Sequence, residues 1–195
     1  MSKSRMVAMV TLAVLVMSAC NAPEAEYEDV FLNASYPTYT SVPELTDQAN
    51  LIVEGTIVST ATREIDVSSP LTDQEAADPE LNPGGTEQGE QSLMVYTVHQ
   101  VRVERVIKGS ASEGDTIEVK ELGGTVGKAR YATDYGVVLD DGGSYVLFLQ
   151  TFETAPASLL NPIQSVYEEV GGKLTALPAN TLDVEAVAAL QRSED

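Results

Sequence analysis

The chain has 195 residues, 30 of them acidic and 11 basic, for a formal charge of −19 at neutral pH. That sign argues against nucleic acid and anionic lipid headgroups as partners, and the length allows one domain with a single core. One cysteine and one histidine exclude an intrachain disulfide, a CxxC site, a His-rich zinc site and an HExxH motif.

Residues 1–19 read as a processing segment. Lys3 and Arg5 form a basic start, Met6 to Met17 is almost continuously apolar, and Ser18-Ala19 supplies small residues before Cys20. As a helix, Met6 to Ala19 would extend only ~21 Å against a hydrocarbon core of ~30 Å, too short for a comfortable span. Met17-Ser18-Ala19-Cys20 resembles the lipobox of bacterial lipoproteins, with methionine at the position where leucine is usual. The resemblance implies cleavage before Cys20, acylation of its thiol, and a protein anchored to the membrane outside the cytoplasm of a bacterial envelope. Diacylation passes well beyond the marginal hold of one acyl chain. Loss of Lys3 and Arg5 would leave nine basic residues against 30 acidic ones, a charge of −21.

Residues 20–40, with Pro23 and Pro37 and no sustained period, read as a lipidated cysteine and flexible tether reaching at most about 66 Å. Tyr27, Phe31, Tyr36 and Tyr39 are candidates to dock on the domain or touch a partner, and a partly ordered strap is expected. A single β domain is expected over 41–192. Ser41-Val42-Pro43-Glu44 predicts a helix N-terminus with a capping box and proline in the first turn, the helix running to about Ala49. Leu51 to Thr60 is apolar on both faces, a central strand with Gly55 at a bulge or close approach.

Between Glu64 and Ser92 lie eight acids, no basic residue and three prolines. Such composition does not offset its ordering entropy by burial, so 64–92 reads as an acidic mobile loop. Calcium is the sharp alternative, but Asp73-Gln74-Glu75-Ala76-Ala77-Asp78 fails the EF-hand spacing and no metal ligand is assigned.

Leu93 to Leu122 carries the strongest hairpin signal, two β-branched runs around Lys108-Gly109-Ser110-Ala111-Ser112-Glu113-Gly114-Asp115. Tyr96 and Val98 share one face while Val101 and Val103 share the other, which predicts a bulge between His99 and Gln100. Gly123-Gly124-Thr125-Val126-Gly127-Lys128-Ala129 is a near miss to a phosphate-binding loop and is expected only to cross the end of a barrel. Six of the nine basic residues after Cys20, Arg102, Arg105, Lys108, Lys120, Lys128 and Arg130, fall near here. The expectation for them is solvated strand faces paired with Glu104, Glu118 and Glu121. His99 is expected to be a hydrogen-bonded structural histidine rather than a general base.

Ser144 to Phe152 is the most apolar strand, followed by a hairpin of Ser165 to Val170 with Lys173 to Leu177. A C-terminal helix capped by Asn180 or Thr181 runs to about Arg192. The helix, Leu51 to Thr60, Val106-Ile107-Lys108-Gly109, Gly114-Asp115 before Thr116-Ile117-Glu118-Val119, Gly123-Gly124 and Gly143-Ser144-Tyr145-Val146-Leu147-Phe148-Leu149 together resemble small exported bacterial proteins. Their fold is similar to the OB-type barrel of the tissue-inhibitor-of-metalloproteinase and netrin modules. This implies a mainly β, OB-like curled antiparallel barrel over Ser41 to Leu177, with a short N-terminal and a C-terminal helix; an open β-sandwich is the alternative. Metalloproteinase inhibition does not carry over, because those inhibitors use a free amino-terminal cysteine and a disulfide-fixed edge. The sequence assigns no catalytic residue and no cofactor. It predicts a lipid-anchored binding module for a protein, peptide or glycan, the alternative being an envelope hydrolase with a carboxylate site of its own.

Overall fold

The computed structural model describes residues 27–67, 92–136 and 139–192. The leader, Cys20 and all but the ends of the acidic loop lie outside them. In chain order the elements are β1 (Glu28–Phe31), α1 (Val42–Gln48), β2 (Leu51–Asp66), β3 (Leu93–Lys108), β4 (Thr116–Leu122), β5 (Gly124–Val126) and β6 (Ala129–Ala132). They continue with β7 (Ser144–Gln150), β8 (Ala157–Leu159), β9 (Val166–Val170), β10 (Lys173–Ala176) and α2 (Val184–Arg192). The protein is mainly β, with one helix near each end of the domain.

Seven strands form one sheet in the order β10-β9-β7-β2-β3-β4-β8, and β8 also pairs with β7. The sheet therefore curls until its β8 end reaches β7, with β9 and β10 extending beyond the curl, but only through a three-residue strand with two residue pairs to β4 and two to β7. It is a curled sheet that stops short of a closed barrel. Apolar residues on alternate positions split into two cores. Val53, Ile57, Val101, Val103, Val119, Leu147 and Leu149 fill the concave face. Ile52, Val146, Phe148 and Tyr167 lie on the convex face under Leu45 of α1 and Val187 of α2. β7 feeds both cores, and its five middle residues are all buried.

α1 begins as its capping box predicts. Ser41 Oγ accepts the Glu44 N–H at 3.3 Å, and Glu44 reaches back to the Thr40 N–H at 2.8 Å. Its last turn carries no basic residue; Lys108 of β3 donates instead to the Thr46 carbonyl at 2.7 Å, placing a cation at the helix's negative end. Arg105 does the same for α2 through the Gln191 carbonyl at 2.7 Å. α2 starts later than expected. Asn180 is used in a local turn to the Leu182 N–H, and Asp183 accepts the Glu185 N–H at 3.0 Å at the helix start.

The bulge expected in β3 between His99 and Gln100 is absent, since β3 pairs with β4 in unbroken register from Tyr96 to Arg102. The β2–β3 pairing shifts register between Ile52 and Val53, between Glu54 and Gly55, and between Ile57 and Ser59. The last shift leaves Val58 of β2 as the extra residue. Val95, Thr97, His99, Val101 and Val103 therefore all face the concave side, and Val98 is buried on the opposite face between Ala61 and Lys120 in register. At Gly55 an added Cβ would lie 2.6 Å from the Arg102 carbonyl oxygen, so the close approach expected there is real and excludes any side chain.

β2 continues to Asp66, beyond the expected end at Thr60, and pairs with β3 back to Leu93. The ends of the acidic segment are thus strand, closed by Val67 N–H to the Ser92 carbonyl at 2.9 Å. The last part of the expected tether is also docked. β1 runs parallel to β6 in a second, three-stranded sheet with β5, and Arg130 holds Asp29 through two nitrogens at 2.7 and 2.9 Å. Tyr36 packs edge-on against Tyr135, and Tyr39 exchanges two backbone hydrogen bonds with the Gln164 side chain. The glycine-rich stretch after β4 forms the β5–β6 hairpin.

Candidate functional site

Period two in β3 and β4 puts Thr97, His99 and Glu121 on the concave face, at the end of that core where apolar residues give out. His99 is 0% and Glu121 5% exposed, and His99 Nε2 lies 2.9 Å from Glu121 Oε2. The other ring nitrogen, Nδ1, is 2.9 Å from Thr60 Oγ1, which itself donates to Asp141 Oδ1 at 2.5 Å. A hydroxyl has one proton to give, so Nδ1 carries a hydrogen and donates it to Thr60. One proton then lies between Nε2 and Oε2, and the buried pair is neutral as a unit whichever atom holds it. Glu121 Oε2 also accepts the Leu139 N–H at 3.3 Å, tying the segment before β7 across the end of the curl. Tyr145 closes this end beneath Gly143, where an added Cβ would fall 2.6 Å from the tyrosine ring. His99 is thus the hydrogen-bonded structural histidine expected, engaged at both nitrogens and sealed from solvent.

β8 stops pairing with β4 at Lys120 and Ser158. Just beyond, where Glu121 and Leu122 complete β4, a cavity of about 130 Å³ opens, lined by Tyr36, Tyr96, Lys120, Ser158, Leu159 and Pro162 among others. Lys120 is half-buried on the convex face. Its Nζ lies 5.3 Å from the Tyr96 ring centroid and 4.8 Å from that of Phe152, within cation–π range of both. Burial pushes the Lys120 ammonium below the usual lysine range. Burial likewise raises the phenols of Tyr36 and Tyr96, for Tyr36 with smaller contributions from Tyr96, Glu121 and Tyr135. Both tyrosines keep their protons at neutral pH and are available as donors.

At the other end of β4, two open grooves of about 410 and 450 Å³ share Leu51, Ile117 and Thr151. Phe152, 49% exposed, lies on one of them. Phe152 is the one exposed large apolar residue of these mixed polar and apolar linings, and it reaches Lys120.

Pairing of the basic residues differs from expectation. Glu118 is held by Arg63 at 2.6 Å and Gln100 at 2.7 Å, Glu104 accepts from Thr56 at 2.7 Å, and Glu121 serves His99. Lys120 is left between two rings. Sequence reasoning missed it because Phe152 was placed inside a longer β7, whereas that strand ends at Gln150 and lets Phe152 turn toward β4. The available signal was the hairpin register, which sets Tyr96 and Lys120 diagonally on one face. Among the described residues no cluster of three or more His, Cys, Asp or Glu is arranged to hold a metal ion, and no helix is long and apolar enough to cross a membrane. Cys20 lies outside the described residues. Comparison with protein-family models, curated proteins and solved structures finds no match to this chain.

Proposed function

We propose that the protein is a lipid-anchored, non-catalytic binding module, held through Cys20 to a bacterial membrane and facing outside the cytoplasm. The observation that carries the binding reading is Lys120, a half-buried cation between Tyr96 and Phe152 beside a cavity in a strongly acidic chain. Aromatic walls with a few polar groups are the make-up of recognition sites. The only histidine is locked inside the core, which supports the absence of general-base chemistry by an imidazole. The circuit of pairings β2-β3-β4-β8-β7 and back to β2 supports the OB-like resemblance, since OB folds are five-stranded, partly open barrels that serve as binding scaffolds. Charge opposes nucleic acid, so the ligand is a protein, peptide or glycan.

Thermal melts of the full-length protein against envelope-derived peptides and glycans test this. A ligand present at about 100 times its Kd adds about 2.7 kcal/mol and raises Tm visibly. A melt moved by none of them contradicts the binding reading.

The second reading, an envelope hydrolase, draws on a different observation. Burial, then a hydrogen bond to Glu54 and the charges of Glu54 and Glu104, raise the Glu169 carboxyl above its ordinary range, with Arg105 opposing. Acid–base chemistry uses carboxyls held apart in proton affinity. On this reading Glu169→Gln abolishes turnover of chromogenic esters or glycosides and leaves ligand-induced stabilisation untouched.

A further inference from the structure

Lys120 is a half-buried cation with no ion pair among the described residues. Every ion pair among the described residues lies elsewhere, at Arg63–Glu118, His99–Glu121 and Arg130–Asp29. The ammonium is half-buried, and burial lowers its proton affinity. A partly desolvated cation without a counter-ion is unfavourable, and the rings of Tyr96 and Phe152 offset only part of that. The one carboxylate in the cavity wall, Glu121, directs Oε2 to His99 and to the Leu139 N–H.

We propose that Lys120 and the cavity beside it bind a flat monocarboxylate. The carboxylate lies toward Lys120, with Tyr36 and Ser158 able to donate to it, and the planar body lies against Tyr96, Leu159 and Pro162. Charge favours this class, and size restricts it to the smallest flat bodies with the carboxylate outside the void, since a void of about 150 Å³ admits benzene and this one is about 130 Å³. A dianion is disfavoured by the chain's charge of −19, and a cation is excluded by Lys120 itself. The proposal rests on the binding reading and adds a small-molecule ligand class to the protein, peptide or glycan of that reading.

Calorimetric titration of the detergent-solubilised full-length protein with benzoate, and with the neutral isostere benzamide, tests it. Benzoate should bind at least tenfold more tightly than benzamide. Lys120→Met, which keeps an apolar stem under the two rings, should erase that preference, and exposed Lys128→Met should preserve it. Equal affinity for the two probes, no benzoate binding, or a preference that survives in Lys120→Met would overturn the proposal. The comparison of the two probes on the unmodified protein holds even if the Lys120 variant fails to fold. If benzoate fails while a peptide or glycan still raises Tm, the carboxylate site falls and the binding reading stands; if neither acts, both fall.

Discussion

Glu121 and His99 occupy a position where water cannot compensate either of them, so each depends on the other. Truncating one leaves a buried polar group without its partner, which typically costs 3–5 kcal/mol by order of magnitude. Glu121→Ala and His99→Ala should therefore each lower stability by about that much in urea melts. The double replacement His99→Ala with Glu121→Ala should cost clearly less than the two single losses together, because it removes the unpaired group along with the pair. Additive losses would show that the two residues are not coupled. Glu169 makes a pH prediction of definite sign. Its carboxyl is raised in the folded state, so its contribution is fully present below the unfolded carboxyl range near 4.3 and is lost as pH rises through the folded value. Glu169→Gln should melt above the unmodified protein at pH 7, and the gap should close on acidification toward pH 4. A constant gap across that range would contradict the assignment. Phe148 is fully buried against Tyr167, ring centroids 5.9 Å apart, and Phe148→Ala should cost about 3–5 kcal/mol.

β3 shows what periodicity reveals and what it hides. The hairpin with β4 and the turn between them were legible, because alternation and turn residues are local signals, whereas the curl was expected from a bulge that β3 lacks at His99 and Gln100 and from the OB-like resemblance. The face change was not, because Val98 is buried on the convex side of a regular strand and apolarity alone cannot tell two covered faces from a bulge. Strand irregularities lie instead in the β2–β3 register, where they depend on a partner about 45 positions away. Val98→Asp and Val101→Asp should both destabilise the domain, Val101→Asp the more, since it buries a charge without a partner on the concave side while Lys120 lies opposite position 98 in register. Circular dichroism melts decide it, and an unchanged melt for Val98→Asp would contradict a covered convex face at β3. β1, β5, β6 and β8 were unreadable for a related reason. Strands of three or four residues carry almost no period, and β1 finds its partner at Ala129 to Ala132, a hundred residues on. The Lys120 site shares that origin, because its half-buried state is set by Phe152 and by residues 36 and 158–162 rather than by β4 itself.

For the whole molecule, docking of β1 alters what an anchor at Cys20 would do. The free reach ends at Glu28 instead of at Thr40, about 26 Å rather than 66 Å at 3.3 Å per residue. An acylated Cys20 would then hold the domain close to the bilayer, with the net charge of −21 after cleavage opposing adhesion to anionic headgroups. The anchored placement at the centre of the proposed function rests on Cys20, and fractionation of cells producing the unmodified protein and Cys20→Ser tests it directly. The account predicts that the unmodified protein stays in the membrane pellet through a high-salt wash and incorporates labelled fatty acid. It predicts that Cys20→Ser takes up no label and appears in the soluble fraction. A Cys20→Ser protein that remains in the washed pellet would contradict the account.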